Sequence, residues 1–174
     1  ISELNPNIIN LCMLSVGLLL HPSPIAYATA VQKSLSGIAG IVLQYPFYAG
    51  IMALLVASGI ILDLGQLLAG LSGNALCAAT FYSAGLINLL IPSGGGQWAI
   101  QGPIIMQAAT EAGVPTYKVL MALAYGDQWT NLIQPFWALP LLGICEIRAG
   151  QVLGYSAVLL IVSQICFLVP LCLF

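Results

Sequence analysis

Apolar runs separated by short polar or Gly- and Pro-rich stretches make up almost the whole chain. Apolar runs of about 18 residues or more are typical of membrane-spanning helices. The pattern predicts, in chain order, a short run at 8–20, a span at 37–62, two arms at 75–90 and 97–110, a span at 117–144 and a last span at 151–171. Residues 25–36 mix polar and apolar positions and predict an amphipathic helix at the membrane interface. We therefore expect an all-α integral membrane protein that crosses the bilayer several times.

Two of these spans contain residues that interrupt a helix. Pro46 lies within the first long span, where it removes one helix hydrogen bond and frees the carbonyl of Val42. The motif "GDQWTN" at 126–131 interrupts the span at 117–144, and two prolines, Pro135 and Pro140, follow it. We expect both transmembrane helices to be broken. Loops are expected at 63–74 and 111–116.

The composition supports the membrane interpretation. Only 5% of the residues are charged and 60% are hydrophobic, whereas a soluble domain carries about a quarter charged residues. The net charge is −2 and the three basic residues are scattered, which argues against a nucleic-acid-binding surface. If Lys33 and Arg148 share one membrane face, Lys118 falls on the other, and the positive-inside rule then favours the cytoplasmic side for the first two.

The chain also lacks the residue patterns of metal, redox and hydrolytic sites. Its five cysteines lie in apolar segments without ligand spacing, and it has a single histidine. We therefore expect no metal, no cofactor and no enzymatic activity.

The motif "PSGGGQW" at 92–98 separates the two apolar arms. A continuous helix through it would be penalised by about 6 kcal/mol relative to alanine, so the arms should form a helical hairpin of the re-entrant type. Glycine amides can approach a ligand closely, and Ser93 can cap the second arm. The N-terminus of that arm would then bind an anion through Ser93, Gly94, Gly95 and Gly96.

A tight turn between two ordinary spans is the alternative interpretation of this tip. Gln97, Trp98, Gln101 and Gln107 follow it directly. Buried amides are tolerated in a helix bundle only when they have partners or face a cavity. These side chains therefore favour a binding site, with Gln97 and Trp98 as candidate substrate-binding residues.

A second polar cluster occurs around Asp127. On a helix Asp127, Thr130, Asn131 and Gln134 share one face, and Pro135 would release the carbonyl of Asn131 beside them. An acidic residue within a span is by default a functional candidate. We expect Asp127, Asn131 and Gln134 to bind a coupling ion, with Thr130 and Asn131 assisting the substrate. The alternative is that Asp127 caps the second half of a broken helix.

Aromatic and amide side chains at the breaks complete the candidate site. Gln44 and Tyr45 lie at the first predicted break, where a buried Tyr would need a hydrogen-bond partner. Trp129 and Trp137 could be interfacial anchors or cavity walls.

Three motifs, "GIVLQYPFYAGIM", "PSGGGQWAIQGP" and "AYGDQWTNLIQPFWALPLLGI", closely resemble the bacterial short-chain fatty acid transporters, a branch of the ion transporter superfamily. The resemblance covers almost the whole chain and maps onto the C-terminal portion of the family. It implies a secondary transporter of short monocarboxylates such as acetoacetate and butyrate. It also implies two inverted repeats, of which this chain would be one, with "PSGGGQW" as the hairpin tip and "GDQWTN" as the unwound helix.

The resemblance and the physics of broken helices imply the same roles for the hairpin tip and for the broken helix. Helix N-termini attract the substrate carboxylate, while freed carbonyls and an acid attract a coupling H⁺ or Na⁺. The apolar tail of the substrate would pack against one or more aromatic side chains, Trp98, Trp129, Phe136 or Tyr45. A channel or a structural membrane subunit is the alternative function.

The chain begins at Ile1 without an initiator Met, so we expect residues 1–174 to be a single transmembrane fragment, the C-terminal half of a longer transporter. The expected location is the bacterial cytoplasmic membrane. The expected partners are the monocarboxylate, membrane lipid, the N-terminal repeat of the same protein and a second copy in a homodimer.

Overall fold

The computed structural model describes residues 5–173, apart from the side chains of Pro135 and Trp137, and it is all-helical over that range. The prediction of an all-α protein is confirmed. The helices are α1 Pro6–Leu20, α2 Pro24–Ala57, α3 Ile60–Ala69, α4 Gly73–Leu90, α5 Gly94–Glu111, α6 Thr116–Asn131, α7 Leu139–Ile144 and α8 Ala149–Leu173, with a 3₁₀ turn at Pro135–Ala138.

The chain divides into two compact units, Ile1–Ala39 and Gly40–Phe174. In the first unit, Asn5 caps α1 by accepting a hydrogen bond from the Ile8 N–H at 3.1 Å. His21 ends this helix, and its Nδ1 lies 2.7 Å from the carbonyl oxygen of Gly17. Ser23 then caps α2 through the Ala26 N–H. Capping side chains thus explain why the chain breaks at "HPSP".

Helix α2 is continuous over 34 residues with Pro46 inside it, so the predicted break at Pro46 is wrong. One proline removes a single hydrogen bond, and the long apolar sequence on both sides maintains the helix. The predicted interfacial helix at 25–36 is likewise part of α2 and not a separate element. At 1.5 Å per residue α2 is about 51 Å long, more than the thickness of a bilayer's hydrocarbon core.

Helix α3 occupies most of the segment predicted to be a loop at 63–74. Ile61 and Leu68 bury their side chains, and a Cβ at Gly65 would lie 2.8 Å from the Ile104 side chain of α5. Packing of this apolar face outweighs the low helix propensity of glycine. The loop is therefore confined to residues 70–72.

The predicted helical hairpin is present as α4 and α5. Only residues 91–93 lie outside the helices at its tip, because α5 begins at Gly94 and takes all three glycines into its first turn. The predicted arms at 75–90 and 97–110 are therefore confirmed, with a shorter tip than the sequence suggested.

Helix α6 runs without interruption to Asn131, so the predicted unwinding at 126–131 is wrong. The helix ends at residues 132–134, just before Pro135, because proline disfavours helical geometry in the residue that precedes it. The carbonyl of Asn131 is not released, since it accepts a hydrogen bond from the Gln134 N–H at 3.3 Å. The broken span therefore exists, but its break lies beyond the "GDQWTN" motif.

The second unit is built around a very close crossing of α4 and α6. A Cβ at Gly126 would lie 2.1 Å from the carbonyl oxygen of Phe81. A Cβ at Gly85 would lie 3.0 Å from the Thr130 side chain and 3.1 Å from the Trp129 ring. Small residues allow such close approach between membrane helices. The buried core around this crossing includes Leu68, Leu76, Phe81, Ile105, Val119 and Leu171.

Three helices in the described part of the chain are long and apolar enough to cross a membrane: Pro24–Ala57, Gly73–Leu90 and Ala149–Leu173. The last of them matches the span predicted at 151–171. Helix α8 leaves large apolar side chains such as Tyr155 and Ile161 exposed. A surface of this kind fits lipid and not water, which agrees with a membrane protein.

The crossing gives a stability test. We expect Gly126→Ala to lower the free energy of unfolding of the full-length protein by about 1–3 kcal/mol, since the new methyl group overpacks against Phe81. Gly154→Ala is the matched control, because a Cβ at Gly154 would meet nothing within 4 Å. Thermal unfolding in detergent measures both variants, and equal midpoints would contradict the crossing.

Candidate functional site

The hairpin tip presents the N-terminus of α5. The Oγ of Ser93 accepts a hydrogen bond from the Gly96 N–H at 3.3 Å, as the sequence predicted for a cap. Gly94 and Gly95 are exposed. The backbone N–H groups of a helix's first turn have no partner within the helix. The tip therefore offers donors and a partial positive charge to an anion.

A cavity of about 130 Å³ lies directly beside the tip. Tyr45 and Tyr48 from α2 each meet the ring of Phe136 edge to face, with centroid distances of 5.8 and 5.2 Å. The lining comprises Tyr45, Tyr48, Ala49, Met52, Ile91, Pro92, Ser93, Gly96 and Phe136. The cavity is thus mainly aromatic and aliphatic, and its polar groups are at the tip.

Three lining residues of α2, Tyr48, Ala49 and Met52, were not predicted from the sequence. With Tyr45 they form the i, i+3, i+4, i+7 face of one helix. The predicted break at Pro46 concealed this face, because it assigned the residues before and after Pro46 to two different half-helices. Gln44 lies outside the lining.

Asp127 lies against the first turn of α5. The position of a Cβ on Gly94 is 3.6 Å from one carboxylate oxygen of Asp127 and 3.9 Å from the other. Asp127 is inside the continuous α6, so the alternative that it caps a second half-helix is wrong. The helix N-terminus that Asp127 approaches is that of α5, not that of a second half of its own helix.

The other polar residues of the predicted Asp127 face contact α4. Asn88 is fully buried. The two hydrogens of its Nδ2 are shared among three acceptors, the Asp127 carbonyl at 2.8 Å, Thr130 Oγ1 at 3.0 Å and Asn131 Oδ1 at 2.9 Å. Thr130 donates in turn to the Gly85 carbonyl at 3.0 Å. Gln134 donates to the Leu89 carbonyl at 3.2 Å. The face is thus confirmed as protein-facing.

Asn88 was not among the residues predicted for the site. The sequence nevertheless indicates it, since it is the single amide in the apolar stretch "SAGLINLL" of α4. A lone amide among apolar residues in a bundle needs a partner, and here it has three acceptors.

Amide side chains also join α5 to α4. Gln97 donates to the Ala84 carbonyl at 2.9 Å and to Gln101 Oε1 at 3.0 Å. Gln101 donates to Ser83 Oγ at 3.0 Å. Both glutamines are fully buried, as the sequence analysis expected of amides with partners. Gln107 is instead exposed and pairs with Glu111.

Three tryptophans were candidates for cavity walls. Trp98 is 41% exposed, and its ring covers Gly102. Trp129 packs on Phe81 at a centroid distance of 5.0 Å and donates to the Leu160 carbonyl at 2.8 Å. Among the described side chains, neither lines the cavity beside the tip. The side chain of Trp137 lies outside the described part of the structure.

A family model described as "Short chain fatty acid transporter" matches residues 2–174. The chain belongs to the short-chain fatty acid transporter family. The family resemblance inferred from the three motifs is therefore confirmed.

Two relatives are each named "Putative short-chain fatty acid transporter". The one from Escherichia coli (strain K12) is 42% identical over 173 residues. The one from Haemophilus influenzae (strain ATCC 51907 / DSM 11121 / KW20 / Rd) is 40% identical over 174 residues. Each alignment covers 97% of this chain and 38% of the relative, so the chain spans less than half of their length. No solved structure matches the chain.

The Asn88 cluster gives a second stability test. Thr130→Val preserves side-chain shape but removes the hydroxyl between the Gly85 carbonyl and Asn88. Leaving buried groups unpaired should cost about 1–3 kcal/mol. Thr110→Val is the matched control, because the Thr110 hydroxyl donates to its own helix at an exposed position. Thermal unfolding measures the loss of stability in both variants. An equal loss would mean that the buried hydroxyl of Thr130 stabilises the fold no more than the exposed hydroxyl of Thr110.

Proposed function

We propose that the second unit forms part of the substrate site of a secondary active transporter for short-chain monocarboxylates, coupled to a cation, in the bacterial cytoplasmic membrane. The observation that carries this proposal is the small aromatic cavity that opens onto the capped N-terminus of α5. A short-chain fatty acid has the same two parts, a carboxylate and a small apolar tail. Family membership supports this class of substrate.

The carboxylate of the substrate binds at the tip. Ser93 and the exposed amides of Gly94 and Gly95 supply hydrogen-bond donors and the positive end of the α5 dipole, while the N–H of Gly96 is held by Ser93 Oγ. Thr130 and Asn131 are already bonded to Asn88. Their contribution is therefore to hold α6 against the hairpin, which positions the tip.

The apolar tail of the substrate occupies the cavity between Tyr45, Tyr48 and Phe136. The cavity is small, about 130 Å³, and its walls are mainly apolar, as the tail of a short-chain acid requires. The rings of Tyr45, Tyr48 and Phe136 contribute apolar contact to such a tail.

Coupling follows from the position of Asp127. A substrate carboxylate at the tip would lie near the Asp127 carboxylate, which faces Gly94, and the two negative charges repel each other. A cation bound at Asp127 removes this repulsion, so ion and substrate bind together. We expect Asp127→Asn to abolish ion-driven accumulation while leaving folded protein in the membrane. Unchanged accumulation in vesicles would contradict the coupling role.

The remainder of the site comes from outside this chain. The relatives are longer than the chain, which covers 38% of each. We propose that an inverted repeat of the same protein supplies the opposing hairpin and broken helix, and that lipid and a second copy cover the exposed apolar faces.

The tip is tested by Gly95→Val. A Cβ at Gly95 would meet nothing within 4 Å, so the variant should fold, yet its side chain would obstruct the approach to the amides. We expect the KM for butyrate uptake to rise at least about tenfold, the loss of one good polar contact. Gly154→Val, also in open space, is the control. Equal KM values in the two variants would mean that the tip is only a turn.

The cavity is tested by Met52→Ala. Met52 lines the cavity, so its truncation lengthens the space for the tail. We expect the preference for hexanoate over butyrate, measured as the ratio of their kcat/KM values, to rise about tenfold, near the lower end of what a methylene contributes in a pocket. Met121→Ala is the control, because Met121 lines a different cavity, with Tyr117 and Leu171. An unchanged ratio would place the tail elsewhere.

A further inference from the structure

Four buried side-chain oxygens have no hydrogen-bond partner within the described part of the chain: Thr80 Oγ1, Asn88 Oδ1, Gln97 Oε1 and Asp127 Oδ1. All four belong to α4, α5 or α6. Buried polar atoms without a partner are uncommon, because leaving one unpaired costs about 1–3 kcal/mol. Several in one small region therefore require an explanation.

The two amides among them have a defined orientation. Asn88 Nδ2 lies 2.8 Å from the Asp127 carbonyl oxygen, and Gln97 Nε2 lies 2.9 Å from the Ala84 carbonyl oxygen. A carbonyl oxygen accepts hydrogen bonds only, so the nitrogen of each amide must face it. The unpartnered atoms of Asn88 and Gln97 are therefore oxygens.

Three of the four oxygens belong to residues on neighbouring helical turns near the tip. Gln97 reaches α4 at Ala84, which is one helical turn from Asn88. Gln97 is also one turn from Gly94, whose Cβ position is 3.6 Å from the Asp127 carboxylate. Asn88 in turn bonds the backbone of Asp127. Asn88, Gln97 and Asp127 thus lie on neighbouring turns of α4, α5 and α6, each within one helical turn of these contacts, whereas Thr80 lies a further turn away.

We propose that Asn88 Oδ1, Gln97 Oε1 and Asp127 Oδ1 form a binding site for a sodium ion. Amide and carboxylate oxygens are the ligands of hard cations. One carboxylate among two neutral amides supplies a single negative charge, which matches a monovalent ion. A proton on Asp127 would neutralise the same charge, but its single O–H could pair with only one of the two amide oxygens.

The inference rests on the proposed function, because it identifies the cation that couples to monocarboxylate uptake. The ion would lie behind the first turn of α5, on the side of Gly94 that faces Asp127. Its charge would offset that of Asp127 where the substrate carboxylate binds. It would also join α5 to α4 and α6 and so preorganise the tip.

Sodium binding can be measured without transport. Thermal unfolding of the purified full-length protein, without substrate, is followed in Na⁺, K⁺ or choline at constant ionic strength. We expect Na⁺ alone to raise the unfolding midpoint in a saturable manner, since a ligand that binds only the folded state stabilises it. No difference between Na⁺ and K⁺ would overturn the site.

Variants then assign the ligands. Asp127→Asn keeps the shape of the side chain and should remove the Na⁺-dependent shift. Gln97→Met should raise the Na⁺ concentration for half-maximal stabilisation on the order of tenfold or more. Gln107→Met alters an exposed amide on the same helix and should leave the Na⁺ response unchanged. A full Na⁺ response in Asp127→Asn would overturn the assignment whether or not Gln97→Met folds.

Uptake into proteoliposomes separates the two proposals. Butyrate accumulation driven by a Na⁺ gradient would support both. Accumulation driven only by a pH gradient, with no Na⁺ response in unfolding, would overturn the sodium site and leave the transport function intact. A Na⁺ response that depends on Asp127, without accumulation of any short-chain acid, would support the site and overturn the proposed function.

Discussion

The close crossing of α4 and α6 is the constraint on which the second unit depends. Gly126 brings the backbone of α6 against that of α4 at Phe81. Apolar burial alone does not select a neighbour inside a membrane, because lipid tails are as apolar as leucine. Close contact and polar bonds must hold the crossing, and Asn88 and Thr130 supply those bonds. The hairpin and the carboxylate of Asp127 take their positions from this crossing.

Polar side chains in this unit serve two purposes. Ser83 and Gln101 bond to their neighbours below the tip and join the hairpin arms. Nearer the tip, Asn88 and Gln97 use their nitrogens for the same structural purpose but leave an oxygen unused. Thr80 departs from this trend, since its hydroxyl is unpaired far from the tip. In Asn88 and Gln97, therefore, the amide nitrogen holds a neighbouring helix while the amide oxygen of the same side chain has no protein partner.

The sequence predicted correctly those features that depend on local helix and capping propensities. Its predictions were wrong where packing between helices determines the structure. The hairpin arms and the cap at Ser93 followed from glycine, proline and serine chemistry. Pro46 and the "GDQWTN" motif suggested breaks, yet α2 and α6 continue through them because long-range contacts and apolar length outweigh local propensity. Because of the wrongly predicted break at Pro46, Tyr48 and Met52 were not recognised as members of one helical face with Tyr45. The partners of Asn88 depend on the register of α4 against α6, and that register cannot be predicted from a single sequence.

The end of α6 has a consequence for the cavity beside the tip. Tyr45, Tyr48 and Met52 stand on a long α-helix, and Ser93 and Gly96 stand on the capped start of another. Phe136 stands on a 3₁₀ turn between two helix ends, where hydrogen bonding is weaker and runs are short. The cavity thus has two walls on α-helices and one on a 3₁₀ turn, whose hydrogen bonds are the weaker kind. We therefore expect a change in cavity width to be taken up at that turn before it disturbs the crossing of α4 and α6.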